Sequence, residues 1–158
     1  MLDCAPQIAT KHPLMQILVT ALLALIFAAA PAQASKKTYG DVKVSTVTTI
    51  YDGDTFTVTI DDWPALIGKS ISVRINGIDT PEMRGKCQRE IQLAREAKKA
   101  TVAMIREAKA IELRNLRRDK YFRILADAYA DDKSIGEMLI KSGLAVHYSG
   151  GKKIDWCS

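Results

Sequence analysis

At 158 residues the chain is sized for one domain with one core. Its charged fraction of 26% and hydrophobic fraction of 47% exclude disordered, collagen-like and low-complexity classes, and no internal repeat is visible. The 23 Lys and Arg against 18 Asp and Glu give a net charge of +5, which suits a polyanionic partner but is equally compatible with plain solubility.

The chain begins with a long segment unlike the rest. Leu14 to Ala30 is an apolar run, preceded by Lys11 and followed by Pro31-Ala32-Gln33-Ala34-Ser35. Small residues at Ala32 and Ala34 match an A-x-A cleavage site, so residues 1–34 read as a secretory signal peptide and residues 35–158 as the exported domain, secreted or periplasmic. The run is short for an uncleaved membrane span. Setting Cys4 aside with this leader leaves Cys87 and Cys157, and an even pair in an oxidising compartment reads as one disulfide. That bridge would pin the C-terminal tail beside the start of a long helix.

Residues 42–50 are rich in β-branched side chains and predict a first strand. Asp52-Gly53 then separates it from Thr55 to Ile60, and Asp-Gly between two such runs predicts a hairpin whose turn residues take positive φ. Phe56, Val58 and Ile60 form the core face of the second strand. Gly68-Lys69-Ser70 is no phosphate loop, because Trp63 stands where the earlier glycine is required and no helix follows.

A third strand is predicted from Ile71 to about Ile78, with Ile71, Val73 and Ile75 inward and Arg74 and Asn76 on the opposite face. Between Gly85 and Gly136 there is neither Gly nor Pro, and Ile91, Ala94, Ala97, Thr101, Ile105 and Ala108 recur with a helical period. This predicts an amphipathic helix from about Gln88 to Lys109 with a solvated basic face.

The period returns to two at Ile111 and Leu113. A tight connection through Arg117-Arg118-Asp119-Lys120 leads to a fifth strand from Tyr121 to Ala130, with Phe122, Ile124, Ala126 and Ala128 on one face. Ser134 with Glu137 makes a capping box for a short helix closed by Gly143, and the tail from Leu144 to Ser158 reads as irregular. The whole is α+β and mainly β. Its element order is that of a five-stranded OB-fold barrel, with a long helix between strands three and four and a short helix after strand five.

The polar residues of these elements suggest chemistry. Hard cations take oxygen ligands, and phosphoryl transfer needs positive charge on the transition-state oxygens. Asp54 follows the hairpin turn, Asp79 and Glu82 follow the third strand, and Arg74 and Arg123 lie on polar strand faces. Singly, each has an ordinary explanation as a turn residue or a surface ion-pair partner. His147 is the one histidine beyond the leader, which excludes chemistries that need two.

Together, Asp52-Gly53-Asp54-Thr55, Arg74-x-x-Gly77-Ile78-Asp79-Thr80-Pro81-Glu82, Asp119-Lys120-Tyr121-x-Arg123-x-Leu125-Ala126 and Gly143-Leu144-Ala145 resemble the staphylococcal nuclease (thermonuclease) family, in the family's order. The resemblance implies a Ca²⁺-dependent endonuclease acting on DNA and RNA, with single strands preferred and 3′-phosphate products. It further implies a monomer without a stable protein partner.

Carried over by position, Asp54, Asp79 and the Thr80 carbonyl would hold Ca²⁺, and Glu82 would orient or deprotonate the attacking water. Arg74 and Arg123 would grip the scissile phosphate, where bidentate guanidinium contacts favour arginine over lysine. Lys120 and Tyr121 resemble the family's phosphate contacts. Tyr148 resembles its base-stacking tyrosine with an offset of about one residue, and Asp52 would support the metal site from behind. Two departures stand out. The connection Met83-Arg84-Gly85-Lys86-Cys87 is shorter than the family's mobile basic loop, and a Gly-Lys-rich tail replaces the last helix. The alternative is an OB-fold module that binds single strands without cutting them.

Overall fold

The computed structural model describes residues 37–158. The signal-peptide reading, its cleavage after Ala34 and Cys4 lie outside the described residues.

Among the described residues nine strands and three helices follow one another. They are β1 (Val42–Lys43), β2 (Thr46–Ile50), β3 (Thr55–Thr59), α1 (Ala65–Gly68), β4 (Ile71–Ile75), β5 (Ile78–Asp79), α2 (Gln88–Glu107), β6 (Ile111–Arg118), β7 (Ile124–Ala130), β8 (Lys133–Ser134), α3 (Ile135–Lys141) and β9 (Val146–His147). The main sheet runs β1-β6-β7-β4-β3-β2, with β8 added beside β7. Its two ends, β1 and β2, are consecutive pieces of one bent strand. At the bend Val44 N donates to Ile111 O (2.9 Å) and Ser45 N to Thr59 O (2.9 Å), so one strand pairs both edges and the sheet curls on itself. With β3, β4, β6 and β7, this bent strand makes the five-stranded OB-fold barrel expected from the sequence.

Alternation fills the barrel, interrupted in β6 by an irregularity between Arg114 and Arg117. Phe56, Val58, Val73, Ile75, Leu113, Ile124, Ala126 and Ala128 are buried together, and α3 caps them with Ile135 and Leu139. Helix α2 covers the rest through the small residues Ala94, Ala97 and Thr101. Small residues let that helix lie close to the β2–β3 turn, where Thr101 Oγ1 donates to Gly53 O at 2.8 Å.

Four expectations need correction. The third strand stops at Ile75, because Gly77 at φ +79° turns the chain, and Ile78–Asp79 then pairs with Val146–His147. The tail is therefore not wholly irregular. The fifth strand begins at Ile124 rather than Tyr121, since Asp119 captures the Tyr121 and Arg123 N–H groups in a turn (2.8 and 3.0 Å). Phe122 is then a turn residue at φ +63°, 80% exposed, and not part of the core.

The Asp52-Gly53 hairpin also differs in its cause. Neither residue has positive φ. Gly53 is required instead for room, because a Cβ there would stand 2.8 Å from Ala97 Cβ and 2.9 Å from Thr80 Cγ2.

Candidate active site

Antiparallel pairing of β3 with β4 sets Thr55 opposite Arg74, which brings Arg74 beside the residue that precedes the strand. Arg74 Nη1 donates to Asp54 Oδ1 at 2.7 Å, and its Nη2 reaches Asp79 Oδ1 at 3.4 Å. One guanidinium thus spans two carboxylates from different loops. Thr55 Oγ1 adds a second hydrogen bond to Asp54 Oδ1 (2.8 Å), and Asp52 Oδ1 accepts the Asp54 N–H at 3.1 Å. Asp52 thus holds the backbone of Asp54.

Burial makes this cluster electrostatically unusual. Asp54 and Asp79 are 1% and 0% exposed, and Thr80 is buried with them. Desolvation pushes the Asp54 carboxyl up to about 7, against the pull of Arg74 and with the help of the nearby Asp52 charge. Asp52 is raised as well, chiefly by burial, despite its hydrogen bonds from Asp54. Around Arg74 and the tail residue Lys153, the four acids Asp52, Asp54, Asp79 and Glu82 leave the group short of positive charge. Its hard oxygen donors suit a hard divalent cation, so the residues present fit a Ca²⁺-type ion.

Glu82 lies on the loop between β5 and α2. That loop is fixed by the buried Glu90 in the first turn of α2, which accepts from Lys86 N (2.8 Å) and more weakly from Glu82 N (3.4 Å). Gly85 is needed there, since a Cβ would press on the Glu90 carboxyl at 2.6 Å. The N-terminus of α2 is tied down by the Cys87–Cys157 disulfide, with Cα atoms 6.0 Å apart. Cys87, Glu90 and Cys157 group three ligand-type atoms, but both sulfurs are spent on each other.

The tail contributes residues that the sequence reading did not assign. Lys153 Nζ lies 2.8 Å from Asp79 Oδ1 and also pairs with Glu82 Oε1. Trp156 Nε1 faces Asp79 Oδ2 at 3.5 Å. A signal for them existed in the Cys87–Cys157 pairing, which fixes where the preceding Lys153 and Trp156 must lie.

Other expected residues find their hydrogen-bond and ring partners outside this cluster. Arg123 Nε donates to Asp119 Oδ2 (2.8 Å), and its guanidinium lies 5.4 Å from the Tyr121 ring centroid. Burial acts to raise Asp119, but the bonds from Arg123 and from the Tyr121 and Arg123 backbones outweigh it and hold its carboxyl below the usual range. No hydrogen bond among the described residues joins Arg123 to Asp54 or Asp79. Lys120 stacks its ammonium over the exposed Tyr121 ring. Tyr148 donates its hydroxyl to Gly151 O (2.8 Å) and its N–H to Gly77 O (2.8 Å), so it helps to build the tail. His147 lines a separate cavity of about 290 Å³ with Asn76, Asp127, Tyr129 and Glu137, away from the acid cluster.

The sequence matches the family of staphylococcal nuclease homologues over residues 72–155. It is 36% identical over 96 residues to the endonuclease YncB of Bacillus subtilis, covering 60% of this chain and 43% of that protein. It is 38% identical over 96 residues to the SPbeta prophage-derived endonuclease YokF of the same organism, covering 60% of this chain and 30% of that one. Similarity extends to the staphylococcal-like nuclease CAN1 of Arabidopsis thaliana, with 30% identity over 83 residues, 52% of this chain and 24% of the plant protein. The chain therefore spans less than half the length of these relatives.

Proposed function

The chain belongs to the staphylococcal nuclease family, and on that premise we propose that it is an exported, Ca²⁺-dependent endonuclease hydrolysing phosphodiester bonds of DNA and RNA. The observation that carries this reading is the meeting of two buried carboxylates, Asp54 and Asp79, on the single guanidinium of Arg74. A structural ion pair needs one acid per arginine. Here four acids, Asp52, Asp54, Asp79 and Glu82, gather around two cations, Arg74 and Lys153, so the site remains short of positive charge.

In this reading Asp54, Asp79 and the Thr80 carbonyl hold the cation. When bound, it supplies Lewis acidity toward a phosphate oxygen and a template for the attacking water. Glu82, on the exposed side of the cluster, orients that water or takes its proton. Arg74 holds the two carboxylates in place and offers its N–H groups to the phosphate as charge builds on it. Arg123 approaches the phosphate from the β6–β7 turn by exchanging Asp119 for it. Lys120 and Tyr121, exposed on the same turn, contact the neighbouring phosphate, and Tyr148 contributes a base contact from the tail. Retention of all five charged groups favours an enzyme over a binding module that has lost its chemistry.

Export is supported by the Cys87–Cys157 disulfide, which requires an oxidising compartment to persist. A single-stranded substrate is supported by the OB barrel and the exposed Tyr121. The test is incubation of the purified protein with single-stranded DNA in Ca²⁺ and in excess chelator. Cleavage in Ca²⁺ that chelation abolishes is expected. Absence of cleavage in Ca²⁺, or cleavage undiminished by chelator, overturns the proposal.

A further inference from the structure

The C-terminal tail meets Asp79 three times, once along its backbone and twice at its carboxylate. Val146 pairs with Asp79 in the β5–β9 ladder. The chain then reverses at Gly150 and Gly151, both at positive φ, and brings Lys153 Nζ to 2.8 Å from Asp79 Oδ1. Trp156 faces the other oxygen of the same carboxylate, and Cys157 locks the end of the arm to Cys87 at the start of α2. An arm held by a strand pair at one end and a covalent bond at the other has little reason to deliver a lysine into an acid cluster by chance.

We propose that Lys153 is a tethered counter-ion of the cation site: its ammonium occupies the space between Asp79 and Glu82 in the metal-free protein and competes with a divalent cation for it. This rests on the metal-dependent reading above. The groups facing the ammonium are Asp79 and Glu82 by direct contact, and Arg74 Nη2 shares the Asp79 Oδ1 atom with it at 3.4 Å. Asp79 is fully buried, so it cannot stand bare, and the lysine fills the role that an ion takes over. A cation entering between the same oxygens must either displace the ammonium or sit beside it, and both lower its affinity. The tether keeps the ammonium at high effective concentration, so the threshold for cation binding is set within the chain.

The side chain of Lys153 is 41% exposed, so its replacement is compatible with folding. Calorimetric titration of Ca²⁺ into the purified protein tests the idea, comparing wild type with Lys153→Met, Lys153→Arg and Cys157→Ser. The expected result is Ca²⁺ affinity about tenfold tighter in Lys153→Met, a coupling of ordinary size between two ligands of one site. Lys153→Arg, which keeps the charge, should stay near wild type, and Cys157→Ser, which loosens the arm, should move in the direction of Lys153→Met. Metal-free Lys153→Met should also melt below wild type and gain more from saturating Ca²⁺. Wild-type binding with unchanged or weaker affinity in Lys153→Met overturns this proposal alone. If neither protein binds Ca²⁺, the metal-dependent reading falls with it.

Discussion

Arg74 and Asp54 are twenty positions apart in sequence and 2.7 Å apart in space, because the β3–β4 register sets Thr55 opposite Arg74. The arginine's second nitrogen reaches Asp79, so its planar fork is matched to two acids at once. Replacing Arg74 with Ala should lower the rate of single-strand cleavage at saturating Ca²⁺ by about 10²–10³-fold, the usual loss for one transition-state donor. Lys at the same position should not restore it, because a point charge cannot span both carboxylates. Steady-state rates of the two variants check this, and a variant with near-normal turnover would remove Arg74 from the chemistry.

The raised pKa of Asp54 makes the stability of the metal-free protein depend on pH. A folded-state value of about 7 against an ordinary 3.8 means that the folded protein binds the proton more tightly than the unfolded chain. Stability therefore falls as pH rises from about 4 to about 7, and the raised Asp52 acts in the same direction. Asp54→Asn should flatten this decline and be more stable than wild type at pH 8 without metal. Urea denaturation at pH 5 and pH 8 measures both effects. An unaltered slope in Asp54→Asn would mean that other groups set the dependence.

The Cys87–Cys157 disulfide closes a separation of 70 residues. Chain entropy puts its contribution at about 4 kcal/mol. Reduction, or Cys157→Ser, should lower the denaturation midpoint accordingly. Thiol titration of the native protein should find both cysteines unreactive, and a count near two would refute the bridge in solution.

Gly53 has no room for a side chain between α2 and the Thr80 loop. Gly53→Ala should destabilise by about 1–3 kcal/mol through overpacking. It should also weaken Ca²⁺ binding, because the atoms that must yield belong to Thr80 and Ala97. Calorimetry beside denaturation separates the two effects, and normal affinity in a destabilised variant would show that α2 moves instead.

Phe122 carries a bulky side chain at φ +63°, exposed to solvent, with the Arg118 guanidinium 5.6 Å from its ring centroid. Glycine takes that conformation without the Cβ penalty of about 1–2 kcal/mol, while an exposed cation–π contact returns about 0.5–1 kcal/mol. Phe122→Gly should therefore raise the urea midpoint. A fall would show that the ring is held by contacts its exposure does not reveal.

Local chemistry was enough to place the elements that bury a periodic face. Phe56, Val58 and Ile60, the Ala94–Ala97–Thr101 stripe and the Ser134 cap follow from side-chain spacing alone, because burial acts on each strand or helix independently. Turns were less legible. Phe122 looks like the first core residue of a strand until Asp119 is seen to claim the N–H groups around it, and Gly53 looks like a positive-φ turn residue until α2 is seen pressing on it.

What the sequence alone determined about the site was its inventory: three acids and two arginines in a known order. The tertiary structure decided their grouping. Strand register brought Arg74 onto both Asp54 and Asp79, Arg123 bonds to Asp119 rather than to either of them, and the disulfide-tied tail carried Lys153 to Asp79 across more than seventy positions. Contacts between distant segments depend on sheet pairing and chain closure, and neither leaves a periodic trace in the residues that finally meet.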